Sequence, residues 1–136
     1  MAYTLSLLTT AADCDAVLKF ANKEKKDLDY RILQLGRSLE NYSENNTESD
    51  AELLALNAEI TGLTSVLATL PLGESWTDND MKLKKAQYSL YLLNAHMNKN
   101  GKPAQLEREL ELEYANQKLA SVTSFLADVT TRKAAL

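Results

Sequence analysis

The chain of 136 residues contains few of the residues that interrupt helices or form reactive sites. It has four glycines, two prolines, one cysteine and one histidine. Because glycine and proline are scarce, the composition favours long helices over many short strands. The single cysteine, Cys14, excludes an intramolecular disulfide and fits a reducing compartment.

Charge and hydropathy exclude further classes of protein. The chain carries 15 basic and 19 acidic residues, which gives a net charge of −4 at pH 7. General nucleic-acid binding needs a basic face that displaces counterions, so this balance argues against it. No basic leader precedes the first apolar residues, and we expect no apolar run long enough to span a bilayer. The sequence therefore predicts a cytoplasmic protein that binds neither nucleic acid nor membrane.

The clearest pattern lies between Asp50 and Leu70, where leucine and isoleucine recur in alternating steps of three and four. This spacing places them on one face of a helix and is typical of a coiled-coil seam. The members are Leu53, Leu56, Ile60, Leu63, Leu67 and Leu70. A similar seam recurs later in the chain, at Leu112, Ala115, Leu119, Val122, Leu126 and Val129.

An earlier seam predicts a first helix over residues 11–42. Thr10 provides a hydroxyl that can cap the helix, and Asp13 places a carboxylate in its first turn. Gly36 lies inside this helix at a cost of about 1 kcal/mol relative to alanine. The seam comprises Cys14, Leu18, Ala21, Lys25, Leu28, Ile32, Leu35, Leu39 and Tyr42.

Polar and helix-breaking residues predict where the other helices begin and end. The polar, acidic stretch 43–49 predicts a turn, after which Ser49 and Glu52 form the capping box of a second helix. Pro71 ends that helix and opens a connection over residues 71–78. A third helix then runs to residue 97. A glycine-containing turn over 98–102 leads to a fourth helix that ends near residue 132.

These elements predict an all-α fold, an antiparallel four-helix bundle in up-down-up-down order with coiled-coil-like seams. An N-terminal arm (1–9) precedes one helical hairpin (10–70), and the connection leads to a second hairpin (79–132). The second hairpin is interpreted as a candidate diverged repeat of the first. The first and fourth helices are the longest, so their ends need partners to cover apolar surface. Packing within one chain and swapping between chains both satisfy the pattern.

Residues that could perform catalysis or bind metals do not form a recognisable site. A di-iron bundle needs a glutamate followed three residues later by histidine, supplied twice, but the sole histidine, His96, follows Leu93 at that spacing. The glutamates that alternate over residues 107–113 favour a solvated helix face. Cys14 favours a small buried residue over a nucleophile, since no base lies near it in the sequence. We predict no catalytic, cofactor-binding or metal-ligating residue.

Five residues are candidates for contacts with a partner. Tyr3, Leu5 and Leu7 alternate along the arm, which is predicted to lie extended on a helix or a neighbouring subunit, or to fray. Lys25 breaks the first seam, so its ammonium either snorkels to solvent or meets a carboxylate of another helix. Trp76, in the predicted connection, either plugs the end of the bundle or anchors a partner.

The sequence therefore predicts a non-enzymatic protein that acts through protein–protein contact, by self-association or with another helical protein. Deletion of residues 1–9 is expected to weaken that association. One alternative is a small chaperone or carrier that holds a partner helix in a groove between the hairpins. Another is binding of a small molecule in a bundle cavity, which requires polar groups that converge near His96 or Cys14.

Overall fold

The computed structural model describes residues 2–136 and contains three α-helices within that range. A 3₁₀ turn at Leu5–Leu7 precedes α1 (Ala11–Thr69), α2 (Glu74–Asn100) and α3 (Lys102–Ala134). The all-α class is confirmed. The four-helix bundle is wrong, because the predicted first and second helices form one helix and a single residue separates α2 from α3.

Helix α1 continues through the polar stretch 43–49, where the sequence predicted a turn. Its seam does not stop at Tyr42, because Asn46, Ser49 and Leu53 follow in steps of four, three and four and are all buried or half-buried. The stretch contains neither glycine nor proline, so helical conformation there costs only about 0.5 kcal/mol per polar residue. The predicted capping box does not form, since Ser49 lies inside the helix.

The helix ends that depend on caps and breakers lie close to their predicted positions. The backbone N–H of Asp13 donates to Thr10 Oγ1 at 3.2 Å, which confirms the predicted N-cap of α1. The helix ends at Thr69, one residue before the expected end at Leu70. In contrast, α2 begins at Glu74, inside the segment that the sequence assigned to the connection.

Helices α2 and α3 meet at Gly101, where the sequence predicted a turn over residues 98–102. The N–H of Gly101 donates to the Met97 carbonyl at 2.9 Å, and the N–H of Gln105 donates to the Gly101 carbonyl at 3.2 Å. Pro103 has no N–H, so the helical hydrogen-bond ladder is interrupted beside the glycine. A Cβ at Gly101 would collide with the Met97 carbonyl, so the close approach of backbone requires glycine here.

The chain divides into two compact units. Unit 1 comprises the chain up to Ser38 together with Arg108–Leu136. Within it, Lys133 Nζ lies 2.5 Å from Asp15 Oδ1, and Arg31 Nη2 lies 2.9 Å from Glu111 Oε2. Because the earlier residue on α1 contacts the later residue on α3, the two segments are antiparallel.

Unit 2 comprises Leu39–Glu107 and contains the rest of α1, all of α2 and the start of α3. Asn46 Nδ2 donates to Gln105 Oε1 at 2.6 Å, and Lys102 Nζ lies 3.6 Å from Asp50 Oδ2. These contacts join α1 to the start of α3 and indicate that the two segments are antiparallel. Farther along α1, Leu56 and Glu59 line one crevice with Lys82 and Ala86 of α2. The predicted hairpins are therefore wrong in their pairing: the first part of α1 pairs with α3, and the second part pairs with α2.

The two units differ in how much apolar surface they bury. Among the described residues, unit 1 contains six buried apolar side chains, which are Cys14, Ala21, Leu28, Leu35, Ala115 and Val129. Unit 2 contains two, Ala86 and Leu93, and both lie on α2. The second part of α1 contributes one buried side chain, the polar Asn46. Apolar surface therefore remains accessible in unit 2.

Candidate interaction surfaces

The leucine seam of α1 in unit 2 is only half-buried. In unit 1 the seam residues Cys14 and Ala21 are almost fully buried, whereas Leu18 and Ile32 are half-buried. In unit 2 every apolar seam member keeps part of its surface in contact with solvent, namely Leu53, Leu56, Ile60, Leu63, Leu67 and Leu70. Covering such surface contributes favourable free energy to a complex, part of which offsets the entropy lost on association. Association that covers the seam therefore removes this apolar surface from water.

A second apolar surface, the α2 stripe, lies on the face of α2 that points away from the seam. Met81, Lys85, Tyr88 and Leu92 follow one another in steps of four, three and four, so they share one face of the helix. Met81, Tyr88 and Leu92 are 65%, 63% and 49% exposed. From the sequence, Tyr88 and Tyr91 favour the flank of the core over a contact surface. The stripe as a whole was not identified, although its spacing is the signal that identified the seams.

Acidic and basic side chains are unevenly distributed along the helices of unit 2, and α2 begins with three carboxylates, Glu74, Asp78 and Asp80. The part of α1 in this unit has no lysine or arginine, and its carboxylates are Glu40, Glu44, Glu48, Asp50, Glu52 and Glu59. From residue 81 to 102 the chain has no carboxylate, and its lysines are Lys82, Lys84, Lys85, Lys99 and Lys102. Among the described residues of this unit, one ion pair, between Lys102 and Asp50, joins the two groups. Within α2, Lys84 pairs with Asp80 at 2.9 Å, and Lys82 and Lys85 line one crevice with Glu59 of α1.

The N-terminal arm packs on its own chain in unit 1. The rings of Tyr3 and Phe125 meet edge to face, with centroids 4.8 Å apart and planes at 68°. Arg132 Nε donates to the carbonyl of Leu8 at 3.1 Å and holds the end of the arm on α3. The predicted extended conformation is wrong at Leu5 and Leu7, which form a 3₁₀ turn in which Leu7 is exposed.

A shallow apolar groove lies beside the arm. It has a volume of about 350 Å³, and its apolar lining includes Tyr3, Phe20, Val122 and Phe125. Glu24 and Lys118 also line it and supply one charge of each sign. The groove offers a place for an apolar molecule or side chain.

The remaining predicted contact residues lie in different units. Lys25 is half-buried in the seam of unit 1, and the described residues place no carboxylate within ion-pair distance of it. Trp76 is half-buried in the first turn of α2, in unit 2. The structure brings Tyr3 together with Phe125 but does not gather the five candidates into one surface. Their roles in binding a partner stay predictions.

The residues considered for catalysis are separated. Cys14 is fully buried in unit 1, and His96 is exposed on α2 in unit 2. Neither residue lines the groove beside the arm. Within residues 2–136, no group of three or more histidine, cysteine, aspartate or glutamate side chains is arranged to hold a metal ion.

Helix α1 meets the length and composition criterion for crossing a membrane, contrary to the expectation that no stretch would do so. Core helices and signal sequences satisfy the same criterion, so it is weak evidence and assigns no location.

No family model, curated protein or solved structure matches this chain significantly.

Proposed function

We propose that this protein is non-enzymatic and acts by protein–protein contact, and that it associates with copies of itself. The observation that supports the proposal is the apolar surface left accessible in unit 2, formed by the half-buried leucine seam and the α2 stripe. Removal of apolar surface from water is the main favourable term in protein association. An exposed apolar stripe on one helix face is a candidate interaction site.

The composition of this surface also supports an interface. The α2 stripe contains tyrosine and methionine, which are enriched at the centres of protein–protein interfaces. A tyrosine ring provides a large contact area and loses little conformational entropy when it is immobilised. Tyr91 is exposed one helical turn beyond Tyr88 and extends the same region.

We do not favour the alternative of a carrier, because it depends on two hairpins that the structure does not contain. It required two hairpins with a groove between them, whereas α1 is continuous and pairs with α3 in unit 1 and with α2 in unit 2. No described contact provides the predicted groove.

The test of self-association is the absolute mass in solution, measured by light scattering after size-exclusion chromatography. The chain alone has a mass of 15.1 kDa. We expect a larger mass at high concentration that falls over a dilution of about a hundredfold, as mass action requires. A mass of one chain at every concentration would overturn the proposal.

A second candidate function is the binding of a small apolar molecule in the groove beside the arm. The observation that favours it is the apolar lining by Tyr3, Phe20 and Phe125. A fluorescent dye that brightens in apolar surroundings is expected to bind the native protein, and Phe20→Asp is expected to abolish that signal. Equal dye fluorescence with the variant would exclude this groove as the binding site.

A further inference from the structure

We infer that unit 1 binds a small phosphate monoester in a polar crevice between α1 and α3. The crevice has a volume of about 250 Å³ and is lined by Arg31, Gln34, Leu35, Ser38 and Arg108. The first four residues lie on α1 and the last lies on α3, and all five belong to unit 1. This inference goes beyond the proposed self-association, which depends on apolar surface in unit 2.

The two guanidinium groups at the crevice are held by one carboxylate. Arg31 Nη2 donates to Glu111 Oε2 at 2.9 Å, and Arg108 Nη1 donates to Glu111 Oε1 at 2.8 Å. Each guanidinium has five N–H donors, and this shared contact uses one donor of each. Both arginines are therefore positioned at the crevice and retain N–H groups for a ligand.

The charges at the crevice favour an anion. Two arginines and one glutamate leave one net positive charge in the cluster at pH 7. Asp27, one helical turn before Arg31, and Glu109 are both exposed and do not line the crevice, so solvent screens their charges. A negatively charged group in the crevice is therefore attracted by the two arginines.

The donor groups match the oxygens of a phosphate. A phosphate monoester presents three acceptor oxygens and carries a charge of about −1.5 to −2 at pH 7. The forked donors of arginine fit phosphate geometry, and the Ser38 hydroxyl and the Gln34 amide add neutral donors in the same crevice. Neither of these two side chains has a hydrogen-bond partner among the described residues. A carboxylate has only two oxygens, so a phosphate uses this set of donors more completely.

The size of the crevice limits the ligand to a small molecule. A water molecule occupies about 30 Å³ in the liquid, so the crevice has room for several waters. A phosphate group with a small substituent fits the same space. Leu35 lines the crevice and provides an apolar contact for that substituent.

The test uses phenyl phosphate, a monoester with one apolar substituent, in a low-salt buffer that contains no other phosphate. Phosphorus NMR during titration with the native protein gives the affinity. Arg108→Gln should weaken binding at least about tenfold, because hydrogen bonds between charged groups are the strong ones. The Arg108 ion pair is at the surface and glutamine is a good helix former, so the helical circular dichroism should remain.

Arg37→Gln is the matched control. It removes the same charge from an exposed position of α1 that does not line the crevice, and it should change the affinity by less than about twofold. If Arg108→Gln lost its helical signal, Arg31→Lys with Arg108→Lys would be measured in its place. This variant keeps both charges but not the forked donors, and it should also weaken binding, because lysine contacts phosphate only as a point charge.

The possible outcomes decide the inference. Loss of affinity in Arg108→Gln, with native affinity in Arg37→Gln, supports the site. The inference is wrong if the native protein does not bind phenyl phosphate, or if both variants weaken binding equally, since overall charge would then explain the attraction. It is also wrong if acetate displaces phenyl phosphate at equal concentration. None of these results changes the mass that tests self-association, so the two proposals can fail separately.

Discussion

Asn46 donates a hydrogen bond from Nδ2 to Oε1 of Gln105 at 2.6 Å, between two helices of unit 2. Asn46 is 8% exposed and occupies a seam position. A polar residue in a coiled-coil seam lowers stability but fixes the register, because a shifted partner would leave its buried amide without a hydrogen bond. The polar stretch that resembles a turn in the sequence therefore contains the residue that aligns these helices.

The first prediction concerns this pair. Asn46→Ala and Gln105→Ala should each lower the free energy of unfolding by about 1 kcal/mol, because each removes one partner of a hydrogen bond. A double-mutant cycle from urea denaturation should give a coupling energy of about 0.5–1.5 kcal/mol. Asn57→Ala, at an exposed position of α1, is the control and should change stability by less than about 0.5 kcal/mol. Zero coupling would show that the side chains do not interact in solution.

A second prediction tests the continuity of α1. Asn45→Pro should lower the free energy of unfolding by about 3 kcal/mol, since proline removes a hydrogen bond of the helix interior and clashes with the preceding turn. Asn45→Ala is the matched control and should be neutral or slightly stabilising. Thermal unfolding followed by circular dichroism measures both. If the proline variant were as stable as the alanine variant, residues 43–49 would form a turn after all.

A third prediction contrasts two glycines. A Cβ at Gly36 would meet nothing within 4 Å, so no close contact requires glycine at this position. Gly36→Ala should raise the free energy of unfolding by about 0.5–1 kcal/mol by reducing the entropy of the unfolded chain. Gly101→Ala should lower it by about 1–3 kcal/mol, because the new methyl group collides with the Met97 carbonyl. Equal effects of the two substitutions in urea denaturation would contradict the conformation at Gly101.

A fourth prediction follows from the ion pair at the end of unit 1. The hydrogen bond to Asp15, and then the charge of Asp15, raise the pKa of Lys133 above its ordinary value of 10.5. A pKa that folding raises contributes stability that is fully present below pH 10.5 and is lost as the pH rises through the folded-state value.

The melting temperature of Lys133→Met should therefore lie slightly below that of the native protein at neutral pH. The difference should shrink above pH 10.5 and vanish once the pH exceeds the folded-state pKa of Lys133. Because the pair is at the surface, added salt should also reduce the difference. Lys19→Met, at an exposed position of α1, is the control and should show no such trend. A difference that grew at high pH would have the wrong sign for this mechanism.

A fifth prediction concerns the N-terminal arm. The sequence left open whether the arm lies on a helix, lies on a neighbouring subunit or frays, and in the structure Tyr3 contacts Phe125 on α3 of its own chain. Tyr3→Ala should lower the free energy of unfolding by about 1 kcal/mol through loss of the edge-to-face contact. The mass of the assembly should not change, because the proposed interface lies in unit 2. A fall in mass without a fall in stability would indicate that the arm binds a neighbouring subunit.

Much of the fold was accessible from the sequence, because periodicity records which face of a helix is buried. The seams, the cap at Thr10 and the end of α1 near Pro71 follow from local rules of spacing and capping. The turn predicted over residues 43–49 was wrong because the polar composition of this stretch was given more weight than the spacing of seam positions across it. Tyr42 and Leu53 are separated by eleven residues, which is one more repeat of four, three and four, so the phase already indicated a continuous helix.

The pairing of helices was not accessible in the same way. Heptad seams on different helices resemble one another, so spacing alone does not say which seam packs on which. The contacts that decide it are specific, such as Asn46 with Gln105 and Arg31 with Glu111. The α2 stripe could have been found, because its spacing is as regular as that of a seam. It was missed because apolar residues on one face were assigned to the core before the position of that core was known.

The antiparallel pairing also implies an order of folding. The contact between Asp50 and Lys102 closes a shorter loop than the contact between Arg132 and the carbonyl of Leu8, which are 124 residues apart. The entropy lost when a loop closes grows with the length of the loop. Contacts near the loop between α1 and α2, at residues 70–73, should therefore form first. Each contact that forms shortens the loop that the next contact must close. The helices should therefore pair first near residues 70–73 and last near the chain termini, and they should separate in the opposite order. In hydrogen exchange, amide protons near both chain ends should be lost first.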